Sequence, residues 1–234
     1  MEHQHEHESP DPHDHHAFDR DYWEEHWAPK ARRNMQGDVP VHPYVEEETR
    51  DLEPATALDA GCGTGSEAIW LARQGWQVTG ADISTSALAT AHNREREAGL
   101  DDRLTWVETD LTTWDPGLRW DLVVTNYAHP ATTQLAFYQR IAGWVVPGGT
   151  VLIVGHLDAQ DDAAVGTHEH PREAMVTLSD IAALFAAPGW TLQTARENVR
   201  RVTAPDGSET VLHDVIVRAR HAGEELRSTR DAGR

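Results

Sequence analysis

Short apolar runs that alternate with helical patterns occupy the middle of the chain. Five of these runs predict buried strands, and they lie at 57–60, 76–82, 104–108, 120–126 and 150–155. Amphipathic segments follow the first two runs, and Ser84 and Gly99 are suited to begin and end the second of these helices. Further helices are predicted at 132–146 and 178–186. This alternation predicts right-handed crossovers and a parallel sheet with helices on both faces.

The C-terminal part of the chain follows a different pattern. Two long runs, at about 190–203 and 210–219, flank the sequence Ala204-Pro205-Asp206-Gly207. Asp-Gly between two extended runs is typical of an antiparallel hairpin. We therefore predict an α/β fold with a Rossmann-like, seven-stranded, mostly parallel sheet, helices on both faces and a C-terminal antiparallel hairpin.

Both ends of the chain are strongly polar. Residues 1–17 are almost all His, Asp, Glu and Pro, which predicts a disordered His-rich tail, and residues 223–234 predict a second disordered tail. Between them we expect cap or lid helices at 18–50 and the main domain at 51–222. The alternating histidines of the first tail can bind a divalent metal adventitiously, and we predict no specific metal site.

The charge and the cysteine count narrow the classes of function. The chain has 39 acidic and 20 basic residues and a net charge of −19, which disfavours a nucleic-acid substrate because phosphate backbones are repelled. No run of about 18 apolar residues is present, so we expect no membrane association. Cys62 is the one cysteine, which permits no disulfide framework and fits a cytoplasmic location.

A glycine loop and three acids form the main candidate site. Residues 57–65 read ALDAGCGTG and join the first strand to the first helix, whereas a dinucleotide-binding loop would need glycine at the position of Ser66. Asp59 precedes the glycines, Asp82 ends the second strand and Asp110 follows the third. Three carboxylates at the ends of adjacent strands, beside a glycine loop, predict an adenosine pocket without a phosphate clamp.

Residues 56–156 resemble class I S-adenosylmethionine-dependent methyltransferases through the motifs ALDAGCGTG, VTGADIS, ETDL, DLVVTN and PGGTVLIVGH. The resemblance implies S-adenosyl-L-methionine as the cofactor. It implies that Asp82 binds the ribose, that Asp110 meets the adenine amine between Ile83 and Leu111, and that Asn126 lies beside the methionine part. The loop residues that it places at the cofactor are Asp59, Gly61, Cys62 and Gly63.

Trp23 and Trp27 are four residues apart and therefore share one face of a predicted N-terminal helix. This face is interpreted either as part of the core or as a lid over the cofactor. The pattern resembles the thiopurine S-methyltransferase and tellurite-resistance group, in which such tryptophans contact the cofactor, and this resemblance implies a contact from Trp27. The group methylates small soft nucleophiles, so a thiol or a similar small-molecule acceptor is favoured.

Three residues are candidates for a general base. Tyr127 and His129 follow the fourth strand, and His156 follows the fifth. Such a base is needed only when the acceptor arrives protonated, and each residue is also interpreted as a pocket wall. The leading hypothesis is a methyltransferase. The alternatives are a metal-binding or metal-sensing protein that uses the His-rich tail and a nicotinamide enzyme, which Ser66 disfavours.

Overall fold

The computed structural model describes residues 18–28, 40–100, 102–157, 176–203 and 209–223. Seven strands and six helices lie in this part of the chain. In chain order they are α1 (Arg20–His26), α2 (Pro43–Thr49), β1 (Thr56–Ala60), α3 (Ser66–Arg73), β2 (Gln77–Asp82), α4 (Thr85–Ala98), β3 (Leu104–Glu108), β4 (Trp120–Asn126), α5 (Gln134–Ala142), β5 (Val145–His156), α6 (Leu178–Leu184), β6 (Trp190–Thr203) and β7 (Glu209–His221).

The strands form one seven-stranded sheet with the order β3-β2-β1-β4-β5-β7-β6. Neighbouring strands among β1 to β5 are parallel, and β7 runs antiparallel to both β5 and β6. The predicted fold class, with its closing hairpin, is therefore confirmed. The strand order reverses direction between β1 and β4, and the crevice at the carboxyl ends of such strands is where open α/β sheets bind ligands.

Alternate residues of the central strands supply two separate cores. Leu58 and Val123 pack on one face of the sheet with the helices α5 and α6, whose Ile141 and Ile181 are fully buried. The neighbours of these strand residues pack on the other face with α2, α3 and α4. Val45 of α2 is fully buried there, so α2 belongs to the packed body of the protein.

The predicted helix at 132–146 is wrong at its C-terminal end. Helix α5 ends at Ala142, and β5 already begins at Val145, which pairs with Trp120. The register of β5 against β4 then shifts, because Pro147-Gly148-Gly149 forms a bulge inside the strand and Gly148 has a φ of 88°. Pro147-Gly148-Gly149 thus interrupts a long strand and does not separate a helix from a strand. The predicted caps Ser84 and Gly99 of α4 are confirmed.

Several sequence predictions fall outside the described residues. They are the tail at 1–17, residues 224–234 and the turn at 204–207. Among the described helices, none is both long and apolar enough to cross a membrane.

Candidate functional site

The glycine loop between β1 and α3 packs directly against the segment that follows β4. Gly61, Gly63 and Gly65 have φ values of 81°, 51° and 79°, in the left-handed region that side chains disfavour. A Cβ atom at Gly61 would overlap with the Cβ atom of Ala128. Since Ala128 lies between Tyr127 and His129, this close approach brings both candidate bases to the edge of the glycine loop.

The predicted carboxylates Asp59 and Asp82 both hold this loop. Asp59 Oδ2 accepts a hydrogen bond from the backbone N–H of Ala68 at 3.1 Å. Asp82 Oδ2 accepts from the N–H of Gly63 at 2.8 Å, and its Oδ1 accepts from Ser84 at 2.9 Å. Burial raises the pKa of both carboxyl groups. The two acids thus lie at the predicted loop, and their direct contact with a cofactor stays a prediction.

A third carboxyl group at the loop, Glu67, was missed by sequence reasoning. Its Oε1 accepts from the N–H of His42 at 3.1 Å and from the side-chain amide of Asn126 at 3.0 Å. Burial raises the pKa of Glu67 as well. The only signal for it in the sequence is an acid in the first turn of a helix, which is an ordinary feature of helices. Asn126 Oδ1 is buried and has no hydrogen-bond partner among the described residues.

The residues predicted to surround the adenine differ in how far they are buried. Ile83 is half-buried directly after β2, whereas Leu111 is buried in the core that contains α5. Asp110 Oδ1 accepts from the backbone N–H of Thr112 at 2.8 Å and from its hydroxyl at 2.7 Å. Cys62 is buried, and burial together with the nearby carboxylates raises the pKa of its thiol. A thiol that stays protonated is a poor nucleophile.

Helix α1 lies on the surface across this edge of the sheet and buries none of its residues. The indole of Trp27, directly after α1, covers the glycine loop: a Cβ atom at Gly63 would be 3.1 Å from its Cζ2. The indole N–H of Trp23 donates to the carbonyl of His129 at 3.2 Å. Glu24 accepts from the backbone N–H of Thr85 at 2.6 Å, at the start of α4. Helix α1 is thus attached at three points around the predicted pocket.

The three candidate bases form one column of aromatic rings. The rings of Tyr127 and His156 stack at 4.2 Å between centroids. His156 and His129 are 6.2 Å apart with an interplanar angle of 15°, and His129 stacks on Phe18 at 5.4 Å. The structure therefore brings all three predicted residues together, next to Phe18, which lies two residues before α1.

The hydroxyl of Tyr127 belongs to a polar network behind this column. It accepts a hydrogen bond from Arg200 Nη2 at 3.2 Å and lies 3.3 Å from His42 Nε2. Burial and the charge of Asp214 raise the pKa of Tyr127 well above its usual value. The hydroxyl therefore stays protonated, which makes Tyr127 unsuitable as a general base. Burial and the cation of Arg200 lower the pKa of His42 to about 4.

Asp214 of β7 is the anion at the centre of this network, and its side chain is fully buried. Its Oδ2 accepts from Arg200 Nε at 2.6 Å and from the hydroxyl of Tyr44 at 3.3 Å, while His156 Nδ1 lies 3.5 Å from its Oδ1. Burial alone raises the pKa of Asp214, but the nearby polar groups of His156, Arg200 and Tyr127 favour its ionised form and hold the pKa at about 2. Sequence reasoning missed Arg200 and Asp214 because both lie in the hairpin, far along the chain from the motifs.

Parts of the chain are similar to known methyltransferases. Residues 57–149 match the family model described as a methyltransferase domain. A 100-residue match is 38% identical to an uncharacterized methyltransferase of Mycobacterium bovis and covers 42% of this chain and 48% of that protein. A 136-residue match is 27% identical to probable thiol methyltransferase 2 of Arabidopsis thaliana and covers 56% of this chain and 59% of that protein. The matches thus span about half the length of these relatives.

Solved structures show the same fold. The chain is similar to TehB from Haemophilus influenzae with a TM-score of 0.67 at 17% identity, covering 85% of this chain and 67% of that one. It is also similar to magnesium protoporphyrin IX methyltransferase from Synechocystis with bound SAH, with a TM-score of 0.61 at 19% identity, covering 87% of this chain and 97% of that one.

Across the described residues, no group of three His, Cys, Asp or Glu side chains is arranged to hold a metal ion.

Proposed function

We propose that the methyltransferase domain binds S-adenosylmethionine at the carboxyl ends of β1, β2 and β4 and transfers its methyl group to a small molecule. The observation that carries this proposal is the group of hydrogen-bond-accepting carboxyl and amide oxygens around the glycine loop. Asp59, Glu67 and Asp82 are carboxyl groups largely withdrawn from water, and Asn126 presents a buried, unpartnered oxygen. Such a site favours a cationic ligand over a pyrophosphate, because carboxyl oxygens repel phosphate oxygens and attract an ammonium or a sulfonium, and a bound cation stabilises the ionised form of a buried carboxyl group.

The residues present fit this cofactor. Gly61 and Gly63 leave the loop backbone open to close approach, and Asn126 Oδ1 can accept a hydrogen bond from an ammonium group. We propose that Asp82 binds the ribose. We propose that Asp110 meets the adenine amine and that Ile83 and Leu111 lie on either side of the ring. The bound cofactor supplies an activated methyl group, and the protein aligns the acceptor and excludes water.

We propose that α1 and Trp27 form the lid of this site. The support is threefold: α1 buries no residue, Trp27 lies against Gly63, and the indole of Trp23 donates to the backbone beside the candidate bases. These contacts fit an N-terminal helix that covers a pocket. They do not fit a helix that completes the core. Because Val45 is fully buried, we place α2 with the main domain in this proposal.

A small soft nucleophile, with a thiol favoured, is the acceptor that we propose. One relative is named a probable thiol methyltransferase, and TehB has the same fold. The rings of Tyr127, His129 and His156 provide an aromatic wall next to the glycine loop. The net charge of −19 disfavours a nucleic acid as acceptor.

Calorimetry of the full chain with S-adenosylmethionine, S-adenosylhomocysteine and NAD tests the cofactor. We expect binding of the first two and none of NAD. A screen of thiol, phenol, halide and metalloid acceptors, read out as S-adenosylhomocysteine formed, then tests the acceptor class. Binding of NAD without binding of either adenosyl compound by the folded protein would overturn the proposal.

A further inference from the structure

We infer that Asp214 orients His156 as the general base of this site, and that the acceptor is therefore a nucleophile that arrives with a proton, such as a thiol or a hydroxyl compound. This inference rests on the proposed methyl transfer and names the acceptor's chemistry. It assigns the contact with the acceptor to His156 and a positioning role to Asp214. Neither the hairpin nor Asp214 belongs to the matched methyltransferase domain at 57–149.

The register of the sheet places the two residues side by side. His156 ends β5, and its direct antiparallel partner on β7 is Asp214. Residues that face each other in this way project to the same side of a sheet. The side chain of Asp214 is 0% exposed and that of His156 is 26% exposed, so the carboxylate lies behind an imidazole that reaches the surface of the site.

The two oxygens of Asp214 have different tasks. Oδ2 accepts from Arg200 Nε at 2.6 Å and from the hydroxyl of Tyr44 at 3.3 Å. These bonds leave Oδ1, which is buried, facing His156 Nδ1 at 3.5 Å. An anionic oxygen at this place favours the tautomer in which Nδ1 carries the proton, and the lone pair is then on Nε2. A buried carboxylate that fixes the tautomer of a histidine is a known way to prepare a general base.

Groups from every neighbouring element favour this role for His156. The ring of Tyr127, after β4, stacks on the imidazole at 4.2 Å and fixes its plane, and its raised pKa keeps its hydroxyl neutral. His129 from the same segment lies 6.2 Å away between ring centroids. Arg200 of β6 balances the charge of Asp214, and the lowered pKa of His42, before α2, keeps that ring neutral near pH 7.

The proposed step conserves atoms and charge. His156 Nε2 takes the proton of the acceptor S–H or O–H group as the freed electron pair forms the new bond to the methyl carbon. The bond between that carbon and the sulfonium of the cofactor breaks, and its electron pair stays on the cofactor sulfur. The proton then passes from the imidazole to solvent. An acceptor that is already ionised needs no such base, so its reaction is independent of His156.

Two thiols separate these cases. The assay compares an alkyl thiol, which is mostly protonated near pH 7, with an aryl thiol that is ionised at the same pH. We expect His156→Gln to lower kcat for the alkyl thiol by about 100-fold or more and to change it for the aryl thiol by less than about threefold. Asp214→Asn should lower kcat for the alkyl thiol about tenfold with little change in KM. His92→Gln, an exposed histidine of α4, is the matched control.

A second measurement uses the cofactor-free protein. The ¹⁵N chemical shifts of the His156 imidazole, assigned with His156→Gln, report its tautomer. We expect a proton on Nδ1 in the wild-type protein and a shift toward the Nε2–H form in Asp214→Asn. The wild-type spectrum alone decides this point if Asp214→Asn does not fold.

Two outcomes would overturn the inference. One is an equal loss of kcat for both thiols in His156→Gln, which would make His156 a pocket wall, and the other is an Nε2–H tautomer in the wild-type protein. Failure of the proposed function looks different, because S-adenosylmethionine then does not bind and no thiol is methylated. The tautomer still tests the role of Asp214 in that case.

Discussion

The indole of Trp27 covers Gly63 on one side of the glycine loop: a Cβ atom at Gly63 would be 3.1 Å from Trp27 Cζ2. The backbone N–H of the same glycine donates to Asp82 at 2.8 Å. Gly63 is thus hydrogen-bonded to Asp82, the residue proposed to bind the ribose, and covered by Trp27 of the proposed lid. Any change at Trp27, Gly63 or Asp82 should therefore affect the same cofactor site.

Trp27→Ala should affect function more than folding. The residue follows a helix that buries none of its side chains, so we expect only a modest change in the melting temperature of the cofactor-free protein. Loss of the cover should weaken S-adenosylmethionine binding and lower turnover at least about tenfold, because the acceptor is then less well aligned and less shielded from water. Thermal melts with and without S-adenosylmethionine measure both effects. A large loss of stability without cofactor, with normal stabilisation by the cofactor, would make Trp27 a core residue.

Gly63→Ala should destabilise the loop and displace the lid. Its φ of 51° disfavours a side chain by about 1–2 kcal/mol, and the added methyl group would press against the indole. The two contributions separate in a double-mutant cycle with Trp27→Ala, measured as free energies of unfolding. We expect Gly63→Ala to be less destabilising in the Trp27→Ala background. Equal losses in both backgrounds would show that the indole does not contact Gly63 in solution.

Glu24→Gln should loosen α1 without affecting the rest of the fold. The carboxylate accepts from the N–H groups of Thr85 and Ser86 at 2.6 and 3.3 Å, at the positive end of α4. Burial opposes the ionisation of Glu24, but hydrogen bonds from Ser86 and Thr85 outweigh it and lower its pKa. We expect faster amide exchange in residues 20–27. Glu25→Gln, at the exposed neighbouring position, is the control, and the same exchange rates in both variants would contradict the attachment.

Asp82→Ala should weaken S-adenosylmethionine binding by about 1–3 kcal/mol, the range for a buried polar group that loses its partner. The carboxylate both supports Gly63 and lies where the ribose is proposed. Calorimetry measures the affinity, and Asp102→Ala, an exposed position before β3, controls for the loss of one negative charge. Unchanged affinity in the folded Asp82→Ala protein would remove Asp82 from the ribose site.

Local patterns in the sequence predicted the strands, the glycine loop and the hairpin, because alternation, glycine spacing and turn residues act over a few neighbours. The end of α5 was mispredicted because apolar residues at 144–146 fit a helix as well as a strand, and pairing with Trp120 decides between them. The contact between His156 and Asp214 depends on the register of β5 against β7, and that of Arg200 on the pairing of β6 with β7. Local periodicity contains no information on such registers.

The ring of His42 is held neutral in the folded protein. Burial and the nearby cation of Arg200 lower its pKa from 6.5 to about 4, so below pH 6.5 the unfolded chain binds more protons than the native state. The stability that depends on neutral His42 is therefore complete above pH 6.5 and is lost as the pH falls toward 4. A full shift of this size corresponds to about 3 kcal/mol, and because the ring is only partly buried we expect about 1–2 kcal/mol. His42→Asn keeps a side chain that caps α2 but does not titrate. Urea unfolding at pH 7.5 and 4.5 should show that the wild-type protein loses about 1–2 kcal/mol more than this variant. Equal losses would show that His42 is not withdrawn from water, and the polar network around Tyr127 would then be open in solution.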